Sequence, residues 1–489
     1  MAVAPSCARA EFDDFRGLWI SRFEYNDNSS ADIRNKINAA ADLGITDVIW
    51  QVRGKADAYY QSAHESPAEG WNQAIDPLQV AIDTAHARGV KLHAWLNTMP
   101  LWRDTTQPSD PSHIYYNSDP SFRVTDSGGA VEQTVGGSSS FSGGYSRINH
   151  VLPEAQQHIS NVVQDIATNY AVDGIHLDYI RWLGPGDAGD GFRPDWDYLP
   201  HDPYSHQLYF NDTGQDASDG STFAKREAYR DWVQGRITDL VELVGDTVDN
   251  AELATGRQID LSAAVWNNPT TAERDYMQDY RDWLSRDLLD IAIPMVYLRQ
   301  SNSHLLDNFL DDIFSTPTNS QVSIGLGTYL HTPAEGGVDE TLRQVQEVYD
   351  DGRADSLTFF SWRSLLDGSS LSSQRAAALV QWYEDTFVLE GDYNDDGLVD
   401  AADYTLWRDT FLQFGDLPAD GNGDGFIGNA DYDLWAANYG ASAANAATIP
   451  EPAAVALLAA LGLAPRWAGG RPLRNSEIQL RSRAAPMRR

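Results

Sequence analysis

Eight short apolar runs alternate with helical stretches between residues 15 and 387, and this order constrains the fold more than any other feature of the chain. Strands that are each followed by a helix pair in parallel, and eight such units close into a barrel. The sequence therefore predicts an α/β fold, a (β/α)8 TIM barrel spanning residues 11–389. The predicted strands are 16–23, 46–52, 90–97, 172–178, 259–266, 290–297, 322–329 and 356–362, and the clearest helices are 31–43, 77–88 and 153–170.

Two long insertions interrupt this alternation. Residues 98–150 are rich in Ser, Gly and Tyr, and residues 183–221 are rich in Asp, Pro and aromatic side chains. Both follow the carboxyl end of a predicted strand, which is the end where barrels of this kind build their active sites. We therefore expect the two insertions to wall a cleft.

Polar and aromatic side chains are concentrated at the carboxyl ends of the predicted strands. In the segment DGIHLDYIR, period-two alternation directs Ile175 and Leu177 towards the helices, and directs His176 and Asp178 into the barrel. A carboxylate at that end is placed for catalysis, although a structural ion pair of Asp178 with an arginine is the alternative. The candidate substrate-binding residues are Arg53, Trp95, Asn97, His176, Tyr179, Arg181, Trp266, Asn267, Tyr297, Tyr329 and Trp362. Their aromatic members suit stacking on sugars, and burial in the core is the alternative for them.

Four segments follow one another along these predicted strands: RGLWISRF at 16–23, VRGKADAYY at 52–60, DGIHLDYIRW at 173–182 and PMVY at 294–297. Together they resemble the glycosyl hydrolase-like 10 family. The strand with the pattern Asp-Gly-x-x-x-Asp is also similar to that of amylase-like and galactosidase-like barrels. The resemblance implies a glycosidase-type barrel, and some members of the family are implicated in cleaving bacterial cell-wall glycan.

Glycoside cleavage commonly uses two carboxyl groups, about 5 to 5.5 Å apart for retention and roughly 6.5 to 9.5 Å apart for inversion. The resemblance implies that Asp178 is the nucleophile or the group that stabilises the oxocarbenium ion. Glu24, at the end of the first predicted strand, is the favoured second catalytic residue, with a rim ion pair as its alternative. Further candidates follow the fifth predicted strand, namely Glu273, Asp275 and Asp279. No cofactor is expected in the barrel.

Residues 390–440 contain an internal repeat, because GDYNDDGLVDAADYTLW recurs 28 residues later as ADGNGDGFIGNADYDLW. Short oxygen side chains alternate around a glycine in each copy, as in an EF-hand loop, so we predict one Ca²⁺ ion in each loop. Position 9 is Asp400 in the first loop and Gly428 in the second, so the second site is expected to bind more weakly. The predicted ligands are Asp392, Asn394, Asp396, Leu398, Asp400 and Asp403 in the first loop, and Asp420, Asn422, Asp424, Phe426 and Asp431 in the second.

Each loop is predicted to lead into one short helix, 403–411 and 431–439. Two loop-helix units of this kind resemble a type I dockerin, which implies a small all-α calcium-binding domain and a cohesin-type partner. Loop positions 10 and 11 are Ala401-Ala402 and Asn429-Ala430, which lack the hydroxyl and charged pairs typical of dockerins. The sequence leaves the identity of that partner open.

Both ends of the chain carry segments similar to export signals. Residues 1–10 include Ala8-Arg9-Ala10, a small-x-small pattern, and are predicted to be the remnant of an export signal, with a disordered leader as the alternative. Within 441–489, the sequence Pro450-Glu451-Pro452 precedes a twelve-residue apolar run and an arginine-containing tail, which resembles a PEP-CTERM sorting signal. A twelve-residue helix rises about 18 Å, short of the roughly 30 Å hydrocarbon core, so we expect transient membrane contact only. The predicted location is the cell envelope surface or the extracellular space.

The composition limits the class of partner. With 71 acidic and 35 basic side chains the net charge is −36, which disfavours nucleic acids and anionic membrane surfaces. A single cysteine, Cys7, excludes a disulfide framework, and the 15 Trp and 22 Tyr suit sugar binding. We therefore predict an exported glycoside hydrolase that cleaves O-glycosidic bonds in a polysaccharide or cell-wall glycan. The alternatives are a non-catalytic carbohydrate-binding barrel in adhesion or scaffolding, and a metal-dependent deacetylase or phosphodiesterase built on the pair His176-x-Asp178 together with His93.

Overall fold

The structure is a computed structural model that describes residues 16–103, 106–117, 120–132, 145–183, 194–387, 390–394, 398–415 and 417–440. The export-signal remnant at 1–10, the sorting tail at 441–489 and the predicted calcium ligand Asp396 lie outside these residues. Among the described residues, no helix combines the length and the apolar character that crossing a membrane requires.

Eight parallel strands form a closed barrel. The strands of the described residues are β1 (Arg16–Ile20), β2 (Asp47–Arg53), β3 (Lys91–Asn97), β4 (Pro100–Trp102), β5 (Ser146–Arg147), β6 (Gly174–Asp178), β7 (Asp260–Trp266), β8 (Ile291–Val296), β9 (Gln321–Leu326) and β10 (Ser356–Phe360). The barrel order is β1-β10-β9-β8-β7-β6-β3-β2, and β4 pairs with β5 in a separate antiparallel ribbon. The predicted (β/α)8 barrel and all eight of its predicted strands are confirmed, although several strands end earlier than predicted.

Helices follow the barrel strands, and the last two helices of the described residues lie in the repeated segment at 390–440. Their bounds are α1 (Ser30–Asp42), α2 (Pro77–Ala87), α3 (Pro153–Asn169), α4 (Pro203–Thr213), α5 (Phe223–Thr255), α6 (Pro269–Tyr276), α7 (Tyr280–Ser285), α8 (Leu306–Ile313), α9 (Gly337–Asp351), α10 (Trp362–Leu366), α11 (Ser370–Phe387), α12 (Ala401–Thr410) and α13 (Asn429–Asn438). Their starting points follow from local chemistry. The Asp76 carboxylate, for example, accepts the N–H groups of Leu78 and Gln79 at the start of α2, where Pro77 needs no hydrogen-bond acceptor.

Two apolar layers lie on the two sides of the barrel wall. Ile175 and Leu177 are fully buried between the sheet and the helices. On the inner side, Trp19 and Trp95 pack with small and branched residues of the opposite strands. His176 lies on that inner side, where its Nε2 accepts the indole N–H of Trp19 at 3.1 Å. The alternation predicted for β6 is therefore confirmed.

Both predicted insertions leave carboxyl ends of barrel strands. The first follows β3 and contains the β4–β5 ribbon, and the second follows β6 and contains α4. The first insertion is held by buried contacts within itself and to the segment that follows β6. The Arg147 guanidinium pairs with Glu132 at 2.8 Å and lies 4.1 Å from the ring centroid of Trp182. The insertions therefore lie at the end of the barrel that carries Asp178.

The repeated segment folds as two loop-helix units that are joined reciprocally. The indole of Trp407 in the first repeat donates to the carbonyl of Gly428 in the second at 2.8 Å, and the indole of Trp435 donates to the carbonyl of Asp400 at 2.7 Å. These four residues occupy equivalent positions, 28 residues apart. Two backbone hydrogen bonds also cross between the repeats, from the N–H of Leu412 to the carbonyl of Ile427 and from the N–H of Gly440 to the carbonyl of Val399. The two repeats are therefore related by an approximate two-fold arrangement.

Candidate functional site

Asp178 is the last residue of β6 and is 8% exposed at the mouth of the barrel. Its Oδ1 accepts the backbone N–H of Tyr179 at 2.6 Å and an N–H of Arg181 at 3.1 Å. Its Oδ2 accepts no hydrogen bond from the residues that the structure describes. Its carbonyl oxygen accepts the N–H and the hydroxyl of Thr98 at 2.8 and 3.0 Å, which fixes β6 against the end of β3. One carboxylate oxygen is thus held, and the other is left for a ligand.

Arg181 and Tyr179 form one side of this carboxylate. Tyr179 has a φ of +52°, a left-handed conformation that is uncommon for a tyrosine and turns the chain back over the strand end. The Arg181 guanidinium lies 4.4 Å from the centre of the Tyr179 ring and 5.9 Å from that of Trp266. The two aromatic rings hold the guanidinium of Arg181 in place while it stays paired with Asp178. Trp266 and Asn267, both predicted to bind substrate, are half-buried at the end of β7.

Tyrosines beside Asp178 remain protonated at neutral pH. Burial and the negative charge of Asp178 raise the pKa of Tyr179 to about 12. The same two causes raise the pKa of Tyr297 well above its ordinary value. The ring of Tyr297 stacks on Phe360 at 5.6 Å and meets the half-exposed Tyr329 edge to face at 6.0 Å. The mouth therefore combines a carboxylate with phenol donors and an aromatic wall, in positions that the sequence predicted for Tyr179, Tyr297 and Tyr329.

Asn97 lies opposite Asp178 in the register of β3 and β6. Its side-chain oxygen accepts N–H groups from both Gln51 and Trp95 at 3.1 Å, and its amide donates to the carbonyl of Gly54 at 3.0 Å. Trp95 is 4% exposed, so it forms part of the floor of the barrel mouth and not an open platform for a sugar. These bonds fix the side chains next to the Asp178 carboxylate.

Arg53 has a different role from the predicted binding of substrate. It is fully buried, and its guanidinium pairs with the equally buried Glu65 at 2.8 Å. It also donates to the carbonyls of Asn97 and Thr98. Arg53 and His158 lower the pKa of Glu65 to about 2, against the opposing effect of burial. Arg53 therefore joins the loop after β2 to the end of β3 and presents no surface to a ligand.

Glu24 also differs from the prediction. One of its oxygens accepts the backbone N–H of Ser21 at 2.8 Å. The other accepts the hydroxyl of Ser361 and the N–H of Arg363 at 2.8 Å. A general acid needs a proton on an oxygen that faces the leaving group. The contacts of Glu24 instead join the turn after β1 to the first turn of α10.

Two further predicted binding residues lie away from the mouth or below it. Trp362 was assigned to the eighth strand, but β10 ends at Phe360 and Trp362 begins α10, where the Lys36 ammonium lies 3.4 Å from its ring centroid. His176 is fully buried, and burial holds its pKa well below the ordinary value. Its Nδ1 contacts the hydroxyl of Ser262 at 2.9 Å, so both ring nitrogens have partners within the barrel.

Tyr145 is a residue of the mouth that sequence reasoning missed. It lies immediately before β5 in the first insertion, meets the ring of Tyr179 edge to face at 5.8 Å, and accepts an N–H of Arg22 at 3.0 Å. Arg22 lies so close to Gly54 that a Cβ there would be 2.3 Å from its Nη1. The only signal in the sequence was the tyrosine content of the insertion, which does not identify one residue.

The other acidic candidates after β7 have local partners. Asp275 pairs with its neighbour Arg274, and Asp279 accepts the N–H of Asp282 at the start of α7. Burial raises the pKa of Asp279. Glu273 lies in α6. None of these three is among the groups that contact Asp178 in the part of the chain that the structure describes.

The loops of the repeated segment hold their last aspartates inside. Asp403 and Asp431 are fully buried. Asp403 accepts the N–H groups of Tyr393, Asn394 and Asp400, and Asp431 accepts those of Asn422 and Gly428. Within 390–394, 398–415 and 417–440, neither carboxylate has a Lys, Arg or His partner, and a buried charge without a cation is costly. The donor set thus fits a hard cation.

The described residues of the two loops do not form a closed metal site. No group of three or more His, Cys, Asp or Glu side chains among them is placed to hold a metal ion. In the second loop, Asp420 and Asp424 are turned to backbone N–H groups of their own loop. A calcium ion would have to draw these carboxylates together. The same finding gives no support to the alternative metal site at His93 and His176. His93 instead pairs with Asp47 at 2.9 Å inside the barrel.

Comparisons with known proteins agree with the barrel and its motifs. The chain is 24% identical over 399 residues to the glycosyl hydrolase DigH of Escherichia coli K12, covering 70% of this chain and 81% of that protein. It is 22% identical over 323 residues to the glycosyl hydrolase YngK of Bacillus subtilis, covering 60% of this chain and 56% of that protein.

Two solved structures share the fold at low sequence identity. The glycoside hydrolase domain of PgaB (BpsB) from Bordetella bronchiseptica matches with a TM-score of 0.54 and 14% identity, covering 74% of this chain and 98% of that domain. The catalytic domain of β-amylase from Paenibacillus polymyxa matches with a TM-score of 0.50 and 12% identity, covering 76% of this chain and 98% of that domain. The family model for glycosyl hydrolase-like 10 matches residues 14–330, more than half of the chain. This protein therefore belongs to the glycosyl hydrolase-like 10 family.

Proposed function

We propose that the protein is an exported glycoside hydrolase that cleaves O-glycosidic bonds in a polysaccharide or cell-wall glycan. The observation that carries this proposal is Asp178, whose Oδ1 is held by Tyr179 and Arg181 while its Oδ2 accepts no bond from the described residues. An inward carboxylate at the carboxyl end of a barrel strand, beside protonated phenols and an aromatic wall, is arranged for sugar chemistry.

In this proposal Asp178 acts on the anomeric carbon. Its open oxygen either attacks the anomeric carbon as the bond from that carbon to the glycosidic oxygen breaks, giving a glycosyl ester, or stabilises the positive charge of the oxocarbenium-like transition state. One water molecule completes the hydrolysis in either case, its hydroxyl ending on the anomeric carbon and its remaining proton on the leaving alcohol. Arg181 and the Tyr179 N–H fix the carboxylate so that little reorganisation is needed as charge develops. The protonated hydroxyls of Tyr179 and Tyr297 can donate to sugar oxygens, because their pKa values are raised far above neutral pH.

A non-catalytic carbohydrate-binding barrel is the second candidate. It is favoured by Glu24, the other carboxylate proposed for catalysis, whose oxygens are both engaged by Ser21, Ser361 and Arg363. If no acid assists the leaving group, the same mouth would bind a glycan without cleaving it. The two functions differ in one measurement, the release of new reducing ends.

The repeated segment is proposed to be a calcium-binding, dockerin-like module that joins the barrel to a cohesin-type partner. The reciprocal bonds of its two repeats and the buried carboxylates of Asp403 and Asp431 support this proposal. Bound calcium would supply the positive charge that these carboxylates lack. Export and a short-lived membrane contact of the tail remain proposals that rest on residues 1–10 and 441–489 of the sequence.

The enzymatic proposal is tested with the full chain. We expect purified protein to release reducing ends from at least one member of a panel of neutral and amino-sugar glycans, including bacterial cell-wall glycan. Mass spectrometry of the products would identify the cleaved bond. Binding to a glycan in the same panel without any product would replace the hydrolase by the binding barrel.

A further inference from the structure

Arg22 is a cation at the mouth of the barrel that the proposed chemistry at Asp178 does not use. It lies in the turn after β1, where its backbone N–H donates to Oε1 of Gln51 at 3.0 Å. The amide of Gln51 donates to Asn97, which lies opposite Asp178 in the register of β3 and β6. The ends of β1, β2, β3 and β6 are thus joined by one row of side chains, with Arg22 and Asp178 at its two ends.

The guanidinium of Arg22 has no acidic partner among the described residues. Arg22 is 9% exposed, close to the 8% of Asp178, so it is about as accessible as the candidate catalytic group. In this part of the chain its side chain donates one hydrogen bond, from Nη2 to the hydroxyl of Tyr145 at 3.0 Å. Burial alone would lower its pKa, but two tyrosines and Asp57 raise it above the ordinary value, so the guanidinium stays charged. A largely buried cation without a paired anion is costly unless a ligand supplies the anion.

Arg103 is a second arginine at the same tyrosine. It follows β4 in the first insertion, its side chain is exposed, and its guanidinium carbon lies 5.5 Å from the centre of the Tyr145 ring. Within the described ranges it forms no ion pair. The oxygen of Tyr145 accepts from Arg22, so the hydroxyl proton of Tyr145 is left to donate elsewhere. Two guanidinium groups and one phenol O–H therefore lie together, and each can donate to a ligand.

The guanidinium of Arg22 is held in place by packing instead of by a carboxylate. Its carbon lies 4.5 Å from the centre of the Phe23 ring, and it lies so close to Gly54 that a Cβ would not fit there. A guanidinium fixed in this way presents its planar fork of N–H groups in one direction, which suits a carboxylate. Phe23 itself is 65% exposed, so open apolar surface for a sugar ring lies beside the cation.

We propose that Arg22, Arg103 and the hydroxyl of Tyr145 bind the carboxylate of an acidic sugar unit of the glycan. The inference rests on the proposed glycan substrate, and it names the acidic class within it. The carboxylate can belong to a uronic acid or to the lactyl ether of a cell-wall sugar, because both present the same planar pair of oxygens. Attraction between exposed charges is screened beyond about 8 Å at physiological salt, so the acidic coat of the protein does not cancel this local preference.

The test is a calorimetric titration of the full chain carrying Asp178→Asn, so that no sugar is consumed. D-glucuronate is compared with its neutral isostere D-glucuronamide, and N-acetylmuramate with N-acetylglucosamine, which lacks the lactyl carboxylate. We expect at least one acid to bind with a Kd on the order of millimolar, about tenfold more tightly than its neutral counterpart. Preference for glucuronate alone assigns the carboxylate to a uronic acid, and preference for N-acetylmuramate alone assigns it to the lactyl ether. If neither acid binds more tightly than its counterpart, the proposal is wrong.

Three variants in the same background locate the carboxylate. Arg22→Gln should reduce the preference for the acid about tenfold or more, and Tyr145→Phe should reduce it about threefold or more, because each removes a donor to a charged group. Arg103→Gln changes an exposed side chain, so it should leave the melting temperature unchanged and weaken binding of the acid alone. The matched control is Arg88→Gln, which removes the same charge at the end of α2, on the opposite side of the barrel from its mouth, and should bind as the parent does.

These outcomes separate the acidic subsite from the enzymatic proposal. If the preference for the acid survives both Arg103→Gln and Tyr145→Phe unchanged, the carboxylate binds elsewhere and the assignment is wrong, even where Arg22→Gln does not fold. Wild-type protein that cleaves a neutral glycan and shows no preference for an acid would refute the subsite and keep the hydrolase. A preference for the acid without product from any glycan would keep the subsite and replace the hydrolase by the binding barrel.

Discussion

The Nη1 atom of Arg181 lies 3.1 Å from Oδ1 of Asp178, three residues earlier in the chain, at the mouth of the barrel. The side chains of both residues are nearly buried, with 8% and 11% of their surfaces exposed. A pair in this position serves two purposes: the cation compensates the charge of the carboxylate, and it fixes Oδ1, while Oδ2 accepts no hydrogen bond from the described residues.

Replacing Asp178 by Asn should abolish hydrolysis and leave the fold intact. The amide oxygen can still accept the N–H of Tyr179, so the turn after β6 keeps its hydrogen bond. Activity on the glycan identified by the panel should fall about a thousandfold or more, since a positioned carboxylate is lost. Reducing-end release and a thermal melt would be measured together, and full activity in this variant would remove Asp178 from the mechanism.

The pair of Arg53 and Glu65 is expected to act on stability and not on substrate affinity. Both side chains have no exposed surface, and removing one member of a buried ion pair costs about 3 kcal/mol or more of unfolding free energy. Glu65→Gln and Arg53→Met should each lower the urea midpoint strongly, whereas Arg88→Met, which breaks an exposed pair with Asp42, should hardly change it. A stable Arg53 variant with a raised KM would instead support the binding of substrate.

Stability should decline as the pH falls from about 6.5 to about 4 because of His150. Burial, assisted by the charges of Arg147 and Arg236, lowers its folded-state pKa from 6.5 to about 4. In this window the unfolded chain takes up a proton that the folded protein does not, so protonation favours unfolding. Urea unfolding at several pH values would measure the slope, and His150→Gln should reduce it by the contribution of one proton, because the buried His113 and His176 also have lowered pKa values and keep their own contributions. An unchanged slope in that variant would assign the pH dependence to other groups.

Calcium titration of the full chain should show two binding events, the second weaker. The expected reason for the difference is loop position 9, which is Asp400 in the first loop and Gly428 in the second. This reason can be tested by exchanging the two residues, because they share one backbone conformation, with φ of −136° and −131°. Gly428→Asp is therefore compatible with the backbone, and its Cβ would meet the Phe426 ring at 3.1 Å, a contact that a small shift of the ring relieves. The variant should tighten the second event, and Asp400→Gly should weaken the first. If neither substitution changes either event, position 9 does not contribute to calcium binding.

The barrel was predictable from the sequence because strand periodicity and strand number are local properties of the chain. His176 and Ile175 were assigned to opposite sides of β6 from alternation alone, and the structure confirms both. Alternation fails where a strand ends early. Trp362 was predicted to bind substrate at the end of the eighth strand, but two residues after the end of β10 it begins a helix, so its direction no longer follows the strand.

The roles of Arg53 and Glu24 were not predictable for a different reason. Each depends on a partner that only the fold supplies: Glu65 lies 12 residues further along the chain, and Ser361 lies 337 residues away from Glu24. A charged residue at a strand end indicates position, and its contacts decide whether it faces a ligand or the protein. Tyr145 was missed for the same reason, because its contact with Tyr179 joins the far end of a long insertion to the end of β6.

The crossed bonds of Trp407 and Trp435 have a consequence for how this segment can be inherited. Each tryptophan donates to a carbonyl of the other copy, so a chain cut after Gly415 would keep a first copy whose indole has lost its acceptor. Deletion of one copy should therefore destabilise the copy that remains, because its indole N–H and its crossed backbone group lose their partners, so the two copies are expected to be kept together as a pair.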